Sequence, residues 1–354
     1  MTEHAAVPGS GGDTADQDAQ VAASRVRSSG LRGVGQSLMR LRELSVVLVT
    51  VVLFLYFAIG HGSAFTSVTN LGNIASYVAA PAIIAAGEVM LLVCGEIDLS
   101  AGMTFAMTPI LMMLLHNNQG LPLLLAFLIA LLVAATFGLF NGLVTVFLRL
   151  PSFITTLGTL YLVHGLTLKV NSSQPESAPQ GGTFMKVFGD PNTWWSEIAW
   201  AIGLVIIMQI VLTNTKWGAY TIAAGGNYFG AAEAGIKVRV IKIRAFVITA
   251  LFAGFAGVLD GIHTPHSFDP NAGGNDLMFT AVAASVIGGT ALLGGSGTVI
   301  GAFFGALLLG ILQDGFNIIS LSAETFIMVE GLAIIAAMVL NTQLTRFRRG
   351  ARAE

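Results

Sequence analysis

Along the chain, apolar runs of roughly 20 residues alternate with short polar or glycine-bearing breaks. Runs of that length match a hydrocarbon layer ~30 Å thick crossed by a helix rising 1.5 Å per residue. The pattern predicts ten spans, at approximately 44–60, 72–94, 99–115, 121–148, 153–170, 196–213, 244–262, 277–293, 298–317 and 324–341. Lipid offers no partner to open backbone groups, and the runs are too long and continuous for barrel strands, so they read as helices. The predicted fold class is an all-α integral membrane protein of about ten transmembrane helices with broken or re-entrant Gly-rich connections. Residues 1–36, rich in Gly, Ser, Ala, Asp and Gln without apolar periodicity, read as a disordered cytoplasmic tail; residues 37–345 read as the membrane domain, and 346–354 as a basic cytoplasmic tail. The first apolar run follows that long tail and lacks a small-residue cleavage site, which argues against a removable signal peptide.

Composition supports the same class. Only 10% of residues are charged, against roughly 25% in soluble domains, 54% are hydrophobic, and the mean hydropathy is +0.78. Lys and Arg are retained on the cytoplasmic side of membranes. Ten spans with both termini inside place fifteen of the 17 basic residues there and leave only Lys169 and Lys186 outside. Dropping or adding one span scatters them. A net charge of -2 points to no nucleic-acid partner, and a single cysteine, Cys94, allows no internal disulfide. The longest pieces between spans, 171–195 and 214–243, leave no room for a soluble catalytic domain. The chain holds no phosphate-binding loop, no HExxH and no paired Cys/His spacing, so neither a cofactor nor a metal is expected. Function must then lie within the membrane or on short loops, and if the chain pumps a solute its energy comes from a partner or an ion gradient.

The candidate chemistry lies in glycines and intramembrane acids. Gly138 and Gly142, and again Gly301 and Gly305, have the four-residue spacing at which helices approach closely. Elsewhere glycines break helices, as in GGTALLGGSGTVIG at 288–301. The stretch around GEIDLSAG, 95–102, has the same layout of span, break and span, so residues 80–115 and 277–312 read as a weak internal repeat. An acid within a bilayer costs at least ~2.5 kcal/mol and faces a cavity, an interface or a bundle interior. Glu88, Glu96, Asp98, Asp314 and Asn317 are therefore the candidate substrate-pathway residues. Each has a second reading: Asp98 as a helix cap beside Ser100, Glu88 as an acid satisfied by a neighbour, and Asp314 as an interhelical hydrogen-bonding group near Gln313 and Asn317. Glu88 and Glu96 lie roughly 80° apart in azimuth if the second span extends that far. His164, Asp260 and Glu330 are further intramembrane polar groups.

Between the sixth and seventh spans, a break at Gly225 and Gly226 precedes a short alanine-rich helix from about Tyr228 to Ala234, ending at Gly235 where a left-handed cap is expected. So short a helix cannot bury itself alone, and docking into a partner's groove is its natural use. Together GEIDLSAG, GGNYFGAAEAGIKV and GGTALLGGSGTVIGAFFGALLLGILQDGFN resemble the permease subunits of ABC importers for simple sugars, of the ribose, xylose and galactose type, over nearly the whole chain from the first span onward. That resemblance implies a multi-pass protein of the bacterial inner membrane working with a second copy of itself, a cytoplasmic ABC ATPase subunit and an extracellular or periplasmic sugar-binding protein, and moving a xylose-like or ribose-like monosaccharide. It also implies that the short helix couples to the ATPase through Gly226, Asn227, Tyr228, Phe229, Gly230, Ala231, Glu233, Gly235 and Ile236. The chain departs from many such relatives in having Phe229, Gly230 and Ala231 in place of Glu-Ala-Ala, Glu96 in a Gly-Gly-Ile-Asp motif, and Asp314 where Asn precedes Gly; these acids incline the reading toward xylose. Related permeases for branched-chain amino acids or nucleosides, and proton-coupled transporters, are the alternatives.

Overall fold

The computed structural model describes residues 44–179, 181–189, 193, 195–263 and 267–350. The expected tail at 1–36, with Arg25, Arg27, Arg32, Arg40 and Arg42, lies outside the described residues, as do 351–354. Residues 346–350, expected to belong to a separate tail, continue the last helix.

A helix coincides with each of the ten predicted intervals. They are α1 (Leu44–His61), α3 (Val68–Val93), α4 (Ala101–Gln119), α5 (Leu123–Phe147), α6 (Ser152–Val170), α8 (Ser196–Asn214), α11 (Val238–His263), α12 (Gly274–Ile287), α13 (Val299–Ile318) and α14 (Ala323–Gly350). Among the described residues, α1, α3, α5, α6, α8, α11 and α13 are long and apolar enough to cross a membrane. The chain is thus an all-α protein of the multi-pass membrane class. Four further short helices fill the connections: α2 (Ser63–Thr66), α7 (Gly182–Phe188), α9 (Lys216–Gly226) and α10 (Tyr228–Glu233). Gly225 and Gly226, expected as a break, form the last turn of α9. Two strands depart from the all-helical expectation: β1 (Glu176–Ser177) pairs antiparallel with β2 (Ser267–Phe268) and ties the connection after α6 to the one after α11.

Helices α3 and α11 form the centre. α3 packs on α11, α13 and α8, and α11 on α3, α4 and α5. Their apolar residues run all round the helix, as a helix buried on every side requires. The spaced glycines make the close contacts expected of them. A Cβ on Gly138 would stand 2.6 Å from the Phe246 carbonyl of α11, and one on Gly305 would stand 2.1 Å from the Ala284 carbonyl of α12. α3 starts at Ser67, whose hydroxyl accepts from the Asn70 amide, and α13 starts at Thr298, whose hydroxyl accepts from the Gly301 amide. Gln209 of α8 reaches the same start, its Oε1 accepting from the amides of Val299 at 2.8 Å and Ile300 at 3.1 Å.

Candidate functional site

A cavity of about 610 Å³ opens among α3, α4, α11, α12, α13 and α14. α12 supplies Asp276 and Thr280, one turn apart and so on one face. α3 supplies Ser76 and Tyr77, α11 Asp260, α13 Gln313 and α14 Glu330. Thr280 Oγ1 donates to Glu330 Oε1 at 2.6 Å, and Tyr77 accepts from Asn317 Nδ2 at 3.2 Å. Among the described residues, no Lys, Arg or His lines the cavity. Two prolines inside helices shape its wall: Pro81 in α3 has no N–H for the Tyr77 carbonyl, and Pro109 in α4 none for that of Phe105, which also lines the space. The Phe105 carbonyl lies against Gly257 of α11, where a Cβ would stand 2.0 Å away.

The predicted pathway residues divide. Asn317 is exposed and holds Tyr77 at the cavity wall. Asp314 is 2% exposed and is not among the lining residues; it accepts from Asn70 Nδ2 at 2.7 Å, and the same amide donates to the Phe65 carbonyl at 2.9 Å. Its chain neighbour Gln313, about 100° round the helix, lines the space instead. Glu88 is fully buried in α3, close to Asp98, and it lies away from the cavity lining. Because α3 ends at Val93, Glu96 shares no helical face with Glu88. Glu96 instead pairs with Lys242 of α11.

Asp98, also buried, accepts from the Ser100 amide at 2.9 Å and the Ser100 hydroxyl at 2.6 Å, and from Asn141 Nδ2 of α5 at 3.2 Å. Its side chain accepts from Ser100, the residue before α4, and from no amide of α4 itself, and Ser100 makes no side-chain cap, so the expected capping of α4 by a side-chain oxygen is not seen. Burial pushes the Asp98 carboxyl above the ordinary carboxylate range, opposed by the hydrogen bonds from Ser100 and Asn141. His164 reaches the Asn271 carboxamide at 3.1 Å. Asp276, Thr280, Tyr77 and Ser76 were not singled out from the sequence. The one available signal was the four-residue spacing of Asp276 and Thr280 at the start of an apolar run. Glu197, buried in the first turn of α8 with neither oxygen hydrogen-bonded, was equally silent.

The second candidate region is a cytoplasmic junction by the predicted orientation. Asn227 caps α10 by accepting from the Gly230 amide at 2.9 Å. The helix closes with Ile236 N–H donating to the Ala231 carbonyl and Gly235 N–H to the Ala232 carbonyl, each at 3.0 Å, with Gly235 left-handed at φ 81°. That pair of bonds is a Schellman cap. The same device ends α3 at Gly95 and α12 at Gly289, so the two stretches read as a repeat share helix, left-handed glycine, connection and helix. α9, the end of α3 and the 288–298 connection meet there. The Gly295 amide donates to the Val93 carbonyl at 2.8 Å, and a Cβ on Gly225 would stand 1.7 Å from that same carbonyl. Beside the junction the chain exposes Phe229 at 76% and Leu293 at 83%, with Tyr228 and Glu233 also exposed and Ala231 buried beneath.

Residues 70–338 match a family model described as the permease component of the branched-chain amino acid transport system. The chain belongs to this permease family. Among its relatives are the xylose/arabinose import permease protein XylH of Sulfolobus acidocaldarius, 36% identical over 84% of each chain, and the autoinducer 2 import system permease protein LsrC of Salmonella typhi, 31% identical over 86% of each. LsrC of Yersinia enterocolitica is 34% identical over 74% of this permease and 72% of the relative. No solved structure matches. The permease is therefore a membrane transport subunit of the ABC-importer type.

Proposed function

We propose that this permease passes a neutral monosaccharide, xylose-like or ribose-like, into the cell, driven by a separate ATPase and fed by a solute-binding protein. The lining of the large cavity carries this reading. A zwitterionic amino acid would find Asp260, Asp276 and Glu330 for its ammonium, but its carboxylate would face those acids with no cation among the described lining residues to receive it. A sugar brings only hydroxyls, each able to donate to a carboxylate and to accept from Gln313 or Tyr77. Two relatives whose names refer to xylose/arabinose and to autoinducer 2 support a sugar-like cargo over the amino acid in the family's description.

Ten crossings with both termini cytoplasmic put α10 inside, where Phe229 and Tyr228 offer an apolar face to an ATPase groove. The polypeptide has no nucleotide-binding loop, so hydrolysis belongs to that partner. A second copy of the permease completes the passage, and the ATPase shifts it between outward and inward states only as far as its affinity for the two differs. In proteoliposomes assembled with the cognate ATPase and binding protein, ATP drives uptake of D-xylose, L-arabinose or D-ribose and not of L-leucine. Leucine uptake without sugar uptake would overturn the substrate reading. Sugar accumulation by the permease alone under a proton gradient would replace the ATP-driven mechanism with a secondary one.

A further inference from the structure

We infer that Lys242 and Glu96 form the link that carries motion of α10 into the start of α4, a role that rests on reading α10 as the ATPase-docking helix. The ammonium of Lys242, in the second turn of α11, pairs with the Glu96 carboxylate and lies 5.7 Å from the centroid of the Tyr228 ring. Tyr228 is the first residue of α10, and Glu96 belongs to the connection between α3 and α4. One cation is thus shared between the partner-facing helix and a segment inside the bundle. The pair's side chains are only 17% and 13% exposed, so solvent screens them less than a surface pair and either charge left alone is costly. A cation within about 6 Å of an aromatic ring is held by its face as well.

The segment on the far side of the pair cannot absorb a displacement. Glu96 N–H closes the cap of α3 on the Leu91 carbonyl at 3.0 Å. Ile97 N–H donates to the Ser152 hydroxyl of α6 at 3.3 Å. Asp98 is fastened to Ser100 and to Asn141 of α5. A pull on Glu96 therefore passes to Ala101, where α4 begins, and one turn further on Phe105 forms part of the cavity wall. Glu96 is on this view a positioning residue for the transport cycle, outside the substrate route. Lys242, 146 residues away in sequence, is its partner in that role. Arg239 supplies a control on the same helix, because its guanidinium lies 5.7 Å from the Phe147 ring of α5 and makes no bridge to α10.

The test uses the whole complex of permease, cognate ATPase and binding protein, with D-xylose and ATP as probes. Lys242→Met and Glu96→Gln each lower ATP-driven uptake by roughly fivefold or more, the size of an ordinary coupling between sites, while the ATPase copurifies as with the unaltered protein. Each single variant leaves one charge unpaired and lowers the melting temperature in detergent, whereas Lys242→Met combined with Glu96→Gln leaves none, keeps that temperature and still loses uptake. Lys242→Arg keeps at least half the uptake, whereas the exchanged pair Lys242→Glu with Glu96→Lys, which restores the bridge but leaves no cation at 242 for the Tyr228 ring, does not regain it. Unchanged uptake in the single variants overturns the link, as does an equal loss in Arg239→Met. Loss of ATPase binding in any of these variants, or of melting temperature in the double variant in step with uptake, makes the pair a structural brace, which also overturns it. If the unaltered permease brings down no ATPase, the reading of α10 fails first and the link falls with it.

Discussion

Asp314 shows how one side chain can be acidic, intramembrane and yet away from the route. Two adjacent residues on a helix point about 100° apart, so Gln313 faces the cavity while Asp314 faces Asn70. Asn70 divides its amide hydrogens between Asp314 and the Phe65 carbonyl, which fastens α13 to the corner where α2 meets α3. Asp314→Leu removes one acceptor from a buried amide, and a buried donor left without a partner costs about 1–3 kcal/mol. The expected outcome is a lower melting temperature in detergent with uptake per assembled complex preserved; Asp314→Asn, which keeps an acceptor, is milder. Loss of uptake at an unchanged melting temperature would return Asp314 to the substrate route.

Helix ends were the most legible elements, because a left-handed residue leaves its mark in residue identity. Gly235 has φ 81° and no atom within 4 Å of where a Cβ would stand, so only backbone strain resists substitution there. Gly235→Val therefore unwinds the cap of α10 and lowers ATP-driven uptake, whereas Gly235→Asn, of a type that tolerates this conformation, retains most of it. Equal uptake by the two variants, measured at matched membrane levels, would show that the cap geometry has no part in coupling. The long apolar helices were legible for a different reason, since each needs a continuous run to satisfy its backbone in lipid. The β1–β2 pair is two residues per strand, below any periodicity. α9 lies in a connection whose glycines read as a break, although glycine at a helix's last turn is equally common. The cavity was hidden because five of its six helices each contribute only one or two polar groups and α4 contributes Phe105 alone, and a lone Ser, Tyr or Thr in an apolar run carries no sign of what it faces. Lys242 and Glu96 meet only through the tertiary fold.

At the scale of the molecule, contacts between connections constrain how many times the chain crosses. Val93, Gly225 and Gly295 touch, so the ends of α3, α9 and α12 share one face. Between α3 and α9 lie α4, α5, α6 and α8; on the ten-crossing proposal α4 crosses with the three that have spanning length and apolarity, and the even number returns the chain to the face where α3 and α9 meet. By the same reasoning α12 crosses with α11. At 14 residues α12 is about 21 Å long, short of the ~30 Å layer. On the ten-crossing proposal the 288–298 connection supplies the remaining depth, its open backbone enclosed by the glycines of α9 and by the end of α3. Removing the single cysteine by Cys94→Ser gives a background for placing new ones at Ser173, Glu233, Leu293 and Ser320. Ten crossings expose Ser173→Cys and Ser320→Cys to an impermeant maleimide on intact cells, while Glu233→Cys and Leu293→Cys react only after permeabilisation. Seven crossings would instead group Ser173 with Leu293 and Glu233 with Ser320. That grouping would place α10 and the 288–298 connection on opposite faces, although a Cβ on Gly295 would stand 2.8 Å from the Gly226 backbone.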